Sequence, residues 1–288
     1  MAIYERAYRG YAGPVTPTWS RFLVLPRYAF EAVFASKLFT SFFALCFLPS
    51  IVGVVLVYLH HNLKALTVLE MSPDQLIPID ARFFLVLLTF SSLMLGFLLT
   101  LLVGPGLISR DLVHDALPLY LSRPFSRSEY VAGKTAVLVI LQSAVSWLPL
   151  LLVWVVQASL DPSWAFANLR ILPALVIGAL LWILLLSLLT LAISATVKRK
   201  ILAQATLVGF FFILAAFGAS VNAILGTSYG ALLALSEVIQ RIWAGLFGVA
   251  PLSPNGMSLP AAWISAIAFT LLCLRQLARK VRAHEVVA

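Results

Sequence analysis

The run ILPALVIGALLWILLLSLLTLAISATV, residues 171–197, contains no charged residue and exceeds the roughly 20 residues that a helix needs to cross a bilayer core. The chain as a whole is 62% apolar and 11% charged, with a mean hydropathy of +1.02. The sequence therefore predicts an all-α polytopic membrane protein with six transmembrane helices. The other five predicted spans are residues 38–59, 83–107, 135–160, 201–225 and 261–274.

The Lys and Arg residues are concentrated in alternate segments between the predicted spans. Sixteen of the 20 fall in residues 1–37, 108–134, 198–200 and 275–282. Because basic residues beside spans are retained on the cytoplasmic side, this bias predicts a multi-pass protein of the inner (cytoplasmic) membrane with both termini in the cytosol. The remaining four basic residues are Lys64, Arg82, Arg170 and Arg241.

Two flanking segments complete the predicted domain organisation. Residues 26–37, PRYAFEAVFASK, can form an interfacial helix whose aromatic and Val side chains meet the lipid while Arg27, Glu31 and Lys37 face water. We therefore divide the chain into a cytosolic segment with an amphipathic connecting helix (1–37), a six-span transmembrane domain (38–274) and a basic cytosolic tail (275–288).

The segment 231–248, ALLALSEVIQRIWAGLFG, is apolar enough to suggest a seventh span. Glu237 and Arg241 at its centre would each cost roughly 2 to 3.5 kcal/mol to insert, and an odd number of spans would place the basic tail outside. We predict instead short outer helices between spans five and six, either re-entrant or interfacial. The side chains predicted to be buried are Leu232, Leu235, Ile239, Ile242 and Leu246.

Motifs of several enzyme and transporter classes are missing from the sequence. It has no phosphate-binding loop, no H-E-x-x-H and no G-x-S-x-G, and its two Cys and four His residues form no cluster, so we assign no catalytic, metal-binding or cofactor-binding residue. The predicted span interiors carry no charge, which disfavours an ion-coupled carrier. Gln142, Ser143 and Asn222 are candidates for lining a substrate path, although hydrogen bonding between helices is the commoner role of such residues.

A polar island, ISRDLVHDALPLYLSRPFSRSEYVAGK (residues 108–134), separates the second and third predicted spans. On a helix, Arg110, Asp111, His114 and Asp115 would form one narrow charged face. Ser126 to Glu129 matches a capping box that would begin a new helix leading into the third span. The island therefore has the pattern of a docking surface, with a solvated loop that only enforces topology as the alternative.

The order D-x-x-x-x-x-L-x-L-Y-L-S-R-P-F-S-R-S-E-Y-V-A-G-K, residues 111–134, resembles the loop between the second and third spans of ABC-2 type transporter permeases, the membrane subunits of ABC exporters. The predicted connecting helix, six spans and outer helices resemble that family over essentially the whole chain. In the family, this loop carries a coupling helix that fits a cleft on the ATP-hydrolysing subunit. The resemblance implies ATPase-coupling roles for Arg110, Asp111, His114, Asp115, Leu117, Arg123 and Arg127.

The resemblance also implies a function and a set of partners. The chain would be the transmembrane permease subunit of an ATP-driven exporter, itself not an enzyme, with ATP and Mg bound by a separate ATP-binding subunit. A second permease copy or paralogue and membrane lipid would be further partners, and nucleic acid is not implied. The alternative is a non-transporting scaffold that relays ATPase-driven change to an outer-side protein. An intramembrane protease or lipid transferase is disfavoured, because the outer carboxylates are scattered.

Overall fold

The computed structural model describes residues 24–62, 76–114, 116, 126–252 and 256–281, and every regular element in these ranges is helical. The first described helix, which we call the N-terminal helix, is Val24–Phe34. Six later segments are long and apolar enough to cross a membrane, which confirms the predicted spans. Spans 1 to 6 are Lys37–His61, Ala81–Val113, Arg127–Leu160, Ile171–Ser194, Lys200–Leu225 and Leu259–Lys280.

The first three spans are interrupted helices. Span 1 consists of Lys37–Leu45 and Leu48–His61, and span 3 of Arg127–Val145 and Trp147–Leu160. A proline lies within the first three residues of each second segment, where its missing N–H costs little. Span 2 contains a π-helical stretch and a further break before Pro105. Its segments are Ala81–Leu88, Thr89–Gly96, Phe97–Val103 and Pro105–Val113.

Span 4 lies at the centre of the bundle. Buried residues make up 61% of its most apolar 18-residue window, but only 11% of the corresponding window in span 5 and 22% in spans 1 and 6. Span 4 contacts spans 2, 3, 5 and 6, whereas span 5 also presents Phe212, Ile213 and Phe217 on an exposed face. Spans 2, 3 and 4 therefore form the core, and within the described part of the chain an apolar face of span 5 is exposed.

The two ends of the bundle differ in charge. Arg110 of span 2, Lys134 of span 3 and Lys200 of span 5 line one cavity, together with residues of the N-terminal helix. We call this the basic end, and the opposite one the far end. At the far end, Asp161 caps the short helix Pro162–Ala167. Hydrogen bonds from the Ser163 hydroxyl and the Trp164 N–H hold the pKa of Asp161 below its usual value.

The segment that is apolar enough to suggest a seventh span forms a shorter helix at the far end, which we call the inserted helix. It runs over Leu235–Phe247, after a 3₁₀ turn at Tyr229–Leu233, and its 13 residues are too few to cross a bilayer. Trp243 Nε1 donates to the Gly178 carbonyl of span 4 at 2.8 Å, so the helix enters the bundle. Leu235, Ile239 and Ile242 are buried as predicted, while Leu232 and Leu246 are half-buried.

Candidate functional site

A buried ion pair joins the last turn of span 2 to the start of span 3. Lys134 Nζ lies 2.8 Å from Asp111 Oδ2, and the exposed fractions of the two side chains are 10% and 16%. The Tyr130 hydroxyl donates to the same carboxylate oxygen at 2.6 Å, and Tyr130 is fully buried. Lys134 Nζ also lies 5.5 Å from the centre of the Tyr130 ring. These contacts fix the two spans to each other where the polar island begins and ends.

The ion pair lies at the start of the predicted coupling segment. The sequence predicts that Arg110, Asp111, His114 and Asp115 share one charged face of a helix, and in the structure Arg110 and Asp111 lie on the helix Pro105–Val113 that ends span 2. The Asp111 carboxylate contacts Lys134 and Tyr130 of span 3. The negative charge is therefore compensated within the bundle, and Asp111 can remain in the helix. Residues 108–113 of the island therefore extend span 2.

The other predicted coupling residues fall into two groups. Arg110, His114 and Arg127 are exposed at the basic end. The capping box that begins span 3 is present as predicted: Glu129 N donates to Ser126 Oγ at 3.2 Å, and Ser126 N donates to Glu129 Oε2 at 2.6 Å. The second group, Asp115, Leu117 and Arg123, lies outside the described residues.

Span 2 has a break at Gly104 and Pro105, one to two turns before Arg110. We call this break the span 2 hinge. Pro105 has no N–H, so the Leu101 carbonyl one turn earlier loses its helical donor. Gln204 Nε2 of span 5 donates to that carbonyl at 2.9 Å. Gly104 lets span 4 approach closely, because a Cβ atom there would overlap the side chain of Thr190.

Ser194 of span 4 binds the other side of the hinge. Its hydroxyl donates to the Pro105 carbonyl at 2.7 Å and accepts from the N–H groups of Ile108 at 3.2 Å and Ser109 at 2.9 Å. Side chains of spans 4 and 5 thus replace the hydrogen bonds that the break removes from span 2. Sequence reasoning missed both partners. The unpaired carbonyl before Pro105 indicates that a donor is needed, but not which residue supplies it.

We expect Ser194→Ala to lower the stability of the protein by about 2 kcal/mol, because two backbone N–H groups lose a buried acceptor. Ser187→Ala is the matched control. Ser187 is also fully buried in span 4, and its hydroxyl has no hydrogen-bond partner among the described residues. Thermal unfolding in detergent measures both variants. Equal melting temperatures would contradict the assigned role of Ser194.

The three candidate substrate-path residues are not brought together. Gln142 is buried and donates from Nε2 to Thr100 Oγ1 of span 2 at 2.6 Å, and Ser143 beside it is buried as well. Asn222 Oδ1 accepts from Gly230 N at 2.7 Å, at the far end of span 5. With a rise of 1.5 Å per residue, Asn222 lies about 27 Å along span 5 from Gln204, which contacts span 2 near Thr100. Gln142 and Asn222 therefore both make hydrogen bonds that connect helical elements of this chain.

A lateral groove lies between spans 2 and 5. It has a volume of about 600 Å³ and is lined by apolar residues of both spans, including Phe90, Met94 and Phe212. The π-helical stretch Thr89–Gly96 forms much of its span 2 wall. Gln240 of the inserted helix lines it at the far end.

The chain matches no protein-family model and no curated protein sequence. The resemblance to ABC-2 type permeases therefore stays a prediction from the residue pattern of 111–134 and the order of the predicted elements.

Proposed function

We propose that this chain is the permease subunit of an ATP-driven exporter and that a separate ATP-binding subunit contacts its basic end. The observation that supports this most strongly is the linkage of that end to the bundle. Arg110 and His114 lie in and just beyond the last turn of span 2, which is joined to span 3 through Asp111 and to spans 4 and 5 through the span 2 hinge. A force on the exposed residues would be transmitted to four spans.

The proposed mechanism follows these contacts. Closure of two ATP-binding subunits displaces the surface formed by Arg110, His114 and Arg127, in the manner implied by the resemblance to coupling helices. Span 3 moves with span 2 because the Lys134–Asp111 pair is largely buried and bonded. The hinge contacts of Ser194 and Gln204 then pass the movement to spans 4 and 5. Contiguous hydrogen-bonded and packed elements of this kind can carry coupling between distant sites.

A second permease copy or paralogue completes the proposed transporter. The exposed apolar face of span 5 and the adjoining groove against span 2 offer a surface for it. A path enclosed between two such bundles has apolar walls, so the cargo class that fits is hydrophobic or amphipathic. With the positive-inside bias, the basic end faces the cytosol, and ATP and Mg bind only on the partner subunit.

The contacts at the far end give less support to the scaffold alternative. A relay to an outer-side protein needs a free surface in residues 226–260. Much of the described part of this segment is bound within the chain. Arg241 Nε donates to the Met257 carbonyl at 2.8 Å, and the Leu232 carbonyl accepts from Ser265 at 2.7 Å. Arg170 holds the carbonyls of Gly245 and Leu246 at the end of the inserted helix.

Co-purification with ATPase activity tests the proposal. The full chain is purified in detergent from its own cells, and ATP hydrolysis is measured in wild type and in the double variant His114→Glu with Arg127→Glu. We expect the wild type to retain an ATP-hydrolysing partner. In the variant, the ATPase activity per permease should fall at least tenfold, because His114→Glu adds a negative charge to the docking surface and Arg127→Glu reverses a positive one.

The matched control is Arg279→Glu with Lys280→Glu, which changes more charge at exposed positions on the last turn of span 6. This control is expected to keep the activity of wild type. The proposal fails if no ATPase accompanies wild type, or if test and control variants lose it equally.

A further inference from the structure

A cavity of about 740 Å³ lies at the basic end and shares Arg110 with the surface proposed for the ATP-binding partner. Its walls come from the N-terminal helix, the start of span 1 and the end of span 2, with Lys134 and Lys200 closing one side. This volume falls in the range of ~300–1,000 Å³ that holds small molecules in proteins. The residue types divide the cavity into a cationic part and an apolar part.

The cationic part is built around Gly106. A Cβ atom at this glycine would lie 3.4 Å from Lys200 Cδ, 3.6 Å from Lys200 Cε and 3.7 Å from Arg110 Nε. The Lys200 stem and the Arg110 guanidinium, which come from two different spans, therefore both lie close to Gly106 in the cavity wall. Gly106 has no side chain, so the cavity beside it stays open to a group of another molecule.

These two cations have no counter-ion in the described part of the chain. Among the described residues, Asp111 is the only carboxylate that lines the cavity, and it is bonded to Lys134 and Tyr130. Neither Arg110 nor Lys200 makes an ion pair with any described residue. Two like charges held together beside apolar walls repel each other, and an anion between them would relieve this repulsion.

The apolar part of the cavity continues to the lipid-facing surface. Leu102 and Leu107 of span 2 and the buried Phe39 of span 1 form its inner wall. Tyr28 and Leu38 lie at its edge and are 66% and 70% exposed. A hydrocarbon chain can therefore pass from the bilayer along span 1 into the cavity while an attached anionic group reaches Gly106.

We propose that this cavity binds an anionic phospholipid of the leaflet at the basic end. The lipid phosphate lies between Arg110 and Lys200, and an acyl chain lies against Phe39 and Leu102. Basic pockets between transmembrane helices are suited to anionic headgroups, and Arg and Lys both donate charge-assisted hydrogen bonds to phosphate. A zwitterionic lipid carries a cation beside its phosphate and fits this doubly cationic position less well. The inference does not depend on the proposed export function.

Lipid binding to the purified full chain in dodecyl maltoside tests the proposal without an ATPase. Native mass spectrometry counts bound dioleoyl phosphatidylglycerol and, separately, dioleoyl phosphatidylcholine, while inorganic phosphate and glycerol phosphate are compared by their effect on thermal unfolding. We expect the first phosphatidylglycerol to bind at least tenfold more tightly than phosphatidylcholine. Neither water-soluble phosphate should raise the melting temperature at concentrations where phosphatidylglycerol does.

Two variants locate the site. Arg110→Gln with Lys200→Gln should remove the tenfold preference, and Gly106→Leu should weaken phosphatidylglycerol binding at least fivefold by filling the position between two intact cations. Arg279→Gln with Lys280→Gln removes the same charge elsewhere at this end and should bind as wild type does. Since Gly106→Leu and the lipid comparison do not require the charge variant to fold, they decide the question even if it is unstable.

The proposal is overturned if wild type binds both lipids equally, or if Gly106→Leu and the charge variant bind phosphatidylglycerol as wild type does. It is also overturned if free phosphate stabilises the protein as much as phosphatidylglycerol, because the site would then hold an anion without its lipid chains. An equal loss in the Arg279 and Lys280 control would assign the effect to general surface charge.

Discussion

Lys134→Met is expected to destabilise the protein by about 3 kcal/mol, because it leaves the largely buried Asp111 carboxylate without its counter-ion. The Tyr130 hydroxyl would remain as a donor, but one neutral hydrogen bond does not compensate a buried charge. The loss should appear as a lower midpoint of thermal unfolding in detergent, followed by tryptophan fluorescence. Because the pair joins spans 2 and 3, we also expect faster proteolysis between them.

Two further variants separate this effect from the loss of a cation near the membrane. Lys280→Met removes an exposed lysine at the same end and should melt within about 0.5 kcal/mol of wild type. Asp111→Asn combined with Lys134→Met should regain more than half of the lost stability, since no unpaired charge remains. If Lys134→Met and Lys280→Met have the same midpoint of thermal unfolding, the ion pair does not hold the two spans together.

Gly218→Ala is expected to cost about 2 to 3 kcal/mol, the range of overpacking in a closely packed contact. Gly218 of span 5 lies directly against the backbone of Gly230 in the 3₁₀ turn, and a Cβ atom would overlap the Gly230 carbonyl. Backbone cannot rotate away as a long side chain can. Asn222 also fixes this turn by accepting from Gly230 N, so the added methyl group must displace the turn from span 5.

Gly209→Ala provides a control in the same helix. A Cβ atom at Gly209 would meet only Ile213 Cδ1, at 3.7 Å, which is an ordinary contact. Alanine should therefore stabilise span 5 by about 0.5 to 1 kcal/mol through its higher helix propensity. Thermal unfolding of the two variants should shift in opposite directions. Equal shifts would mean that the span 5 contact with the 3₁₀ turn is loose.

The spans could be predicted from sequence because each is a local feature of the chain. A run such as residues 171–197 needs no knowledge of its neighbours to be recognised. The inserted helix was predicted for a similar reason, since Glu237 and Arg241 interrupt an otherwise apolar segment. Its depth was not predicted. It depends on the Trp243 bond to Gly178, a contact between residues 65 positions apart that leaves no periodic signal.

The end of span 2 depends on contacts with residues far away in the sequence. The sequence predicts that the span ends at Leu107 and that Arg110 and Asp111 lie on a charged helical face beyond it. The helix continues to Val113 because Asp111 is paired with Lys134 and because Ser194 binds the backbone beside Pro105. Both partners come from other spans. A polar residue near a span end can belong to the folded bundle as well as to the surface.

The candidate site was predictable only in part for the same reason. The capping box at Ser126 and the exposure of Arg127 follow from local pattern. The proposed path through Gln142, Ser143 and Asn222 relied on residue type, which does not distinguish a substrate contact from a hydrogen bond between helices. Thr100 and Gly230 bind Gln142 and Asn222 respectively. The groove between spans 2 and 5 is apolar, so residue type gave no signal of it.

Photo-cross-linking from position 114 tests the coupling surface most directly. A photoreactive amino acid replaces the exposed His114 in cells, and the same residue at the exposed Ile77 near the far end serves as control. The permease account predicts that position 114, but not 77, becomes covalently linked to a protein that binds and hydrolyses ATP. Cross-links from position 114 to lipid alone, or to no ATP-binding protein, would contradict it.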